Sequence, residues 1–108
     1  MARGLGVPHV SEVFAIWGPE NTNGGAPPSL AARNKDIVPV IQGYWTSFIR
    51  AFDPNTYRVP GSPRWEVFNG QDQGRLLFQT NATRIETVPE NQRQRCVYFD
   101  EIAESIQQ

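Results

Sequence analysis

One histidine, one cysteine and one methionine are spread over 108 residues, and each scarcity excludes something. A single cysteine, Cys96, cannot close a disulfide within the chain, so it is either free or paired with a partner outside it. One histidine and one cysteine do not make a zinc ligand set, so no metal is expected. Charge of either sign is also sparse. Ten Lys and Arg against eleven Asp and Glu leave a net charge of −1. Without a basic stripe to neutralise phosphates, nucleic acid is not an expected partner. The densest basic pair, Arg93 and Arg95, is followed by Asp100, Glu101 and Glu104, the pattern of a solvated helix face. No apolar run is long enough to cross a membrane. The opening MARGLGVPH lacks the apolar core of a signal peptide, so the chain taken literally enters no secretory route, provided Met1 is the true start.

Proline and glycine, by contrast, are abundant. Nine of each predict extensive loops around one small domain. A loop-rich chain of this length buries a limited share of its surface and is marginal unless something else supports it.

The apolar pattern predicts three helices and a hairpin. Val10, Val13, Phe14 and Trp17 form an i, i+3, i+4, i+7 stripe over about 10–17, stopped by Gly18-Pro19. A loop from Pro19 to Asn34 has no Gly-Lys-Ser/Thr after it and no strand before it, which rules out a phosphate loop. It reads as a mobile surface connection. The strongest helix runs over about 36–52. Ile37, Ile41, Trp45, Phe48 and Phe52 share one face, widened by Val38, Val40, Tyr44 and Ile49, with Asp36 as N-cap and Pro39 tolerated in the first turn. Gly43 within it either costs about 1 kcal/mol relative to Ala or marks close packing on another element. Trp65 to Phe68 is a short extended piece closed by Asn69-Gly70. Strands over about 75–79 and 84–88 flank a turn at Thr80-Asn81-Ala82. A terminal helix over about 90–106 has Val97, Ile102 and Ile106 as its apolar contacts, with Tyr98 and Phe99 alongside.

The chemistry centres on Gly6 to Gly18, GVPHVSEVFAIWG. A Gly-Val-Pro turn delivers His9 to a helix start, with Glu12 three residues on, within reach of the ring. A lone histidine does not make a site. Ser11, Ser29, Ser47, Ser62 and Ser105 all lack the G-x-S-x-G flanks of a nucleophile elbow, and no glycine pair makes a convincing oxyanion loop. No carboxylate pair is placed for glycoside chemistry. Separately, Asn81-Ala82-Thr83 is a glycosylation acceptor triplet on a predicted turn.

Taken together, these residues resemble a known family. GVPHVSEVFAIWG resembles the G-x-x-H-x-x-E…F-G signature around the catalytic histidine of type B carboxylesterases, the group of fungal lipases, esterases and cholinesterases. Tyr44-Trp45-Thr46-Ser47-Phe48 is similar to the family's Y-W-x-x-F helix, and Asp53-Pro54-Asn55 to the G-D-P-N after it. Ser62-Pro63-Arg64-Trp65 is similar to P-x-W-P, Leu76-Leu77-Phe78 to the following strand, and Arg95-Cys96 to the R-C-x-F/W ending. The matches are collinear over nearly the whole chain. Two positions depart: Phe52 stands in the place of the glycine, and Glu66 follows Trp65 in the place of proline.

The resemblance implies that residues 1–108 are the incomplete C-terminal part of a carboxylesterase domain, an α+β fragment of an α/β-hydrolase. The triad order Ser, acid, His then makes His9 the general base, with Glu12 as structural support and the serine, acid and oxyanion loop upstream of Met1. It implies a disulfide from Cys96 to an upstream cysteine. It raises the expectation of a glycan on Asn81, since the family is often secreted, although localisation itself stays unknown. The implied substrate is a small carboxylic ester, acted on only when the missing segment completes the chain, with no cofactor. The alternative is a non-catalytic relic or a binding partner of a related esterase.

Overall fold

A computed structural model describes residues 9–71 and 74–106. The expected Gly6-Val7-Pro8 turn lies outside the described residues. Helix α1 is Val13–Trp17, α2 is Ile37–Ala51 and α3 is Glu90–Ile102, with strands β1 at Gly74–Leu77 and β2 at Arg84–Thr87 between α2 and α3. The strands pair antiparallel in a two-stranded sheet, with Leu76 opposite Ile85 and Arg75 opposite Glu86.

Helix α1 is shorter than its apolar stripe predicts. Residues 9–12 form a turn, because Val10 takes φ +57, a conformation costly for a β-branched residue and incompatible with helix. The Val13 N–H bonds the Val10 carbonyl at 3.2 Å, and the Glu12 carbonyl accepts from Ala15 and Ile16 at 3.0 Å each. The predicted stripe is not the buried face. Ala15 is buried and Ile16 packs beside it against Ile37, Val38 and Ile41 of α2, while Trp17 is left 66% exposed. A bond from Gln42 Nε2 to the Ile16 carbonyl, 3.3 Å, pins α1 to α2. Gly18, at φ +89, and Pro19 end the helix as expected.

The Pro19–Asn34 connection is more ordered than its composition suggests. It contains 3-10 turns at Pro19–Asn21 and Pro28–Ala31, each opened by proline at its first position. Leu30 from the second turn reaches the core.

Helix α2 is the organising element. Its buried residues are Ile37, Val38, Ile41, Tyr44 and Ser47, and full burial of a side chain like Ile37 contributes about 1.5–3 kcal/mol. The expected face included Phe48 and Phe52, yet both are exposed. The buried face turns toward Tyr44 and Ser47 because the 53–65 loop offers their hydroxyls backbone partners. Asp36 does not cap the helix with its side chain. The turn before it supplies the Asn34 and Lys35 carbonyls to the Ile37 and Val38 N–H groups, at 3.2 Å each. A Cβ on Gly43 would lie 3.2 Å from both the Val59 backbone N and its Cγ2, so this glycine marks the close packing of α2 on the following loop.

Helix α3 departs most from expectation. It ends at Ile102, where the Ser105 hydroxyl bonds the Ile102 carbonyl at 2.7 Å and competes with helical pairing. None of its residues is buried. Val97, Tyr98, Phe99 and Ile106, expected as apolar contacts, are all exposed. The Arg75 guanidinium ties the hairpin to this helix, contacting Glu86 at 2.7 Å and Gln92 at 2.9 Å.

Candidate functional site

His9 lies in the 9–12 turn and is exposed. Its anchorage is indirect: the turn leads into α1, and α1 is held on α2 by the Ala15 contacts and the Gln42 bond. The imidazole is thus carried on a short, solvent-exposed turn directly before α1. Glu12 shares the turn and is also exposed. Among the described residues no ion pair joins it to His9, and it supports the turn through its backbone carbonyl. The other expected positions lie elsewhere. Cys96 is a free, exposed thiol on α3, and Asn81 is exposed in the turn between β1 and β2. Among the described residues no group of three or more His, Cys, Asp and Glu side chains could hold a metal ion, and no helix is long and apolar enough to cross a membrane.

A polar lock follows α2, built on Asp53-Pro54-Asn55, a stretch that the sequence offers only as a helix stop and as one motif of the resemblance. Ser47 is fully buried. Its Oγ donates to the Asp53 carbonyl at 2.6 Å and accepts from the Tyr57 N–H at 2.8 Å, so this serine is structural and not a nucleophile. The Asn55 side chain reads the Trp65 backbone in both directions. Nδ2 donates to the Trp65 carbonyl at 2.9 Å, and Oδ1 accepts from the Trp65 N–H at 2.7 Å. Asp53 Oδ1 accepts from the Asn55 N–H at 2.9 Å and from its Nδ2 at 3.0 Å. The Asn55 N–H, with lesser help from the Asn55 amide, the Thr56 hydroxyl and the Arg64 charge, holds the Asp53 carboxyl below its ordinary range against the opposing effect of desolvation. The Tyr44 hydroxyl donates to the Pro63 carbonyl, and burial pushes its phenol above the usual value. The signal was present in Asp53-Pro54-Asn55, whose residue types favour turns bonded to their own backbone.

This lock holds Trp65 against Tyr44, Trp45 and Phe78, with ring centroids 5.5–6.0 Å apart in edge and tilted arrangements. Beside the cluster lies an open apolar groove of about 400 Å³ lined by Tyr44, Trp45, Phe48, Ile49, Pro54 and Trp65. Its lining carries almost no polar surface, so by itself it offers contact and no chemistry.

Comparison with known proteins gives this arrangement a context. No protein-family model matches the chain. The secreted lipase 4 of Gibberella zeae is 28% identical over 96 residues, covering 87% of this chain and 15% of that protein. The crystal structure of Aspergillus niger EstA superposes over 93% of this chain and 19% of its own, at 37% identity and a TM-score of 0.82. The chain thus spans less than a fifth of the length of either relative, and its three helices and hairpin follow one part of an esterase of the α/β-hydrolase fold. That identity and superposition support the chain as a fragment of the type B carboxylesterase and lipase family.

Proposed function

We propose that residues 1–108 are the C-terminal part of a carboxylic ester hydrolase, that His9 is its triad base, and that the segment is inactive by itself. The observation that carries this reading is the superposition of nearly the whole chain on a small share of an esterase, with His9 exposed on a turn that leads into the anchored helix α1. The 108 residues contain no G-x-S-x-G. The nucleophile, oxyanion donors and triad acid would therefore come from polypeptide outside them. In the joined enzyme His9 takes the proton from the serine hydroxyl as it attacks the ester carbonyl. It returns that proton to the departing alcohol, then repeats the exchange with water to release the acid. Glu12 supports the turn that carries the ring, and Cys96 bridges to a cysteine of the joined portion. We also propose for the parent protein the secretion that the Gibberella relative's name carries.

The test is a chimera in which this chain replaces the matching part of Aspergillus niger EstA, assayed on an aryl ester beside the isolated chain. The isolated chain should show no turnover and no change on His9→Ala. The chimera should hydrolyse the ester and lose about 10²–10⁴-fold in kcat on His9→Ala. Turnover by the isolated chain that depends on His9 would sink the inactive-segment reading. A well-folded chimera with no activity would favour a relic or a non-catalytic partner.

A further inference from the structure

We propose that Asn81 is an N-linked glycosylation site, carried at the tip of the β1–β2 hairpin. Asn81-Ala82-Thr83 is the only Asn-x-Ser/Thr triplet in the sequence, with a small residue, not proline, in the middle. The fold places it where a bulky polar addition meets water. Asn81 and Ala82 are exposed, and the turn closes through the Ala82 N–H on the Gln79 carbonyl at 3.0 Å. Asn81 takes φ +58, a left-handed conformation that asparagine tolerates better than most residues.

Two further features bear on a sugar at this position. The Thr80 hydroxyl donates to Asn34 Oδ1 at 3.1 Å, which ties the hairpin tip to the turn before α2. The tip also borders a cleft of about 310 Å³ whose walls include Asp36, Val40, Val59, Pro60 and Ser62. Its mixture of aliphatic and polar groups suits the C–H face and the hydroxyl rim of a pyranose. The Thr83 hydroxyl donates to the Gln79 carbonyl at 3.0 Å and accepts from the Gln79 N–H at 3.3 Å. In the closed hairpin the acceptor threonine is engaged, so addition precedes closure of the turn.

The donor is an oligosaccharide carried on a lipid pyrophosphate. Asn81 Nδ2 attacks the anomeric carbon of the first sugar and a C–N bond forms. The anomeric C–O bond breaks, the lipid pyrophosphate leaves with its electron pair, and one Nδ2 proton passes to a base. The inference shares with the reading above only the passage through a secretory compartment.

The experiment is translation of the full 108-residue chain, fused behind a cleavable secretory leader, in the presence of endoplasmic-reticulum microsomes. A companion chain carries Asn81→Gln together with a new acceptor triplet appended after Gln108. The unaltered chain should gain one core glycan, removable by an N-glycosidase and lost on Asn81→Gln or Thr83→Ala, but kept on Thr83→Ser. No addition to the unaltered chain, while the appended triplet of the companion is modified, would overturn the site. A glycan that persists through Asn81→Gln would do the same. Neither outcome touches the His9 assay, so the two proposals fail separately.

Discussion

Phe52 carries the clearest conflict between a residue and its backbone. It closes α2 at φ +55, ψ +19, with its N–H on the Phe48 carbonyl at 2.8 Å and its ring 86% exposed. The resemblance places glycine here, and the left-handed geometry explains why: a Cβ costs about 1–2 kcal/mol in that region. Phe52→Gly should therefore stabilise the EstA chimera by about 1 kcal/mol, read as a raised denaturation midpoint. A lowered midpoint would mean that the ring packs on the joined portion. Asp53, next in sequence, has a folded pKa below its unfolded value of 3.8. Its contribution to stability is complete above that value and is lost as pH falls through the lower, folded value. Midpoints measured across acid pH should fall more steeply for the unaltered chimera than for Asp53→Asn. Parallel curves would remove Asp53 from the lock.

At the scale of elements, α2 presents two faces with different fates. One is buried through Ile37, Val38, Ile41, Tyr44 and Ser47. The other exposes Phe48 and Ile49 beside the apolar groove. The breadth of this apolar surface and the helix limits, to within a residue, are legible in the sequence, because 3.6-residue periodicity is local. The buried side is legible only in part: Ile37, Val38, Ile41 and Tyr44 are buried as expected, Phe48 and Phe52 are not, and Ser47 looks polar until Asp53 and Tyr57 are seen to satisfy its hydroxyl. The same holds for α1, where burial of Ala15 and not Trp17 follows from the approach of α2. Ile49→Ala should cost almost nothing in the isolated chain, where Ile49 is 73% exposed. In the chimera it should cost about 2–5 kcal/mol, the range for truncating a buried isoleucine. Equal small losses in both would show that this face stays in water.

Across the whole molecule, apolar surface is left over. Trp17, Phe68, Val67 at 89% exposure, and the Val97-Tyr98-Phe99 run of α3 all face outward among the described residues. Exposed apolar area of this extent marks an interaction surface or an aggregation liability. The core that remains, centred on Ala15, Ile37, Val38 and Ile41, is small for 108 residues. The purified chain should accordingly show a broad thermal transition and bind an apolar dye, whereas the chimera melts sharply. A single cooperative melt of the isolated monomer would show that the small core suffices.

The helices, the hairpin, the lone histidine and the collinear motifs of the resemblance are legible in the order of the amino acids alone. All are properties of local spacing and of residue identity. What those patterns could not supply came from partners in space: Val10 turning left-handed and delaying α1, the rotation of α2 toward Ser47 and away from Phe48 and Phe52, and the Asn55 clamp on Trp65. Tertiary structure also decided that α3 buries nothing. Each depends on a partner distant in sequence, and burial of a polar atom or an apolar face is settled by which partner arrives.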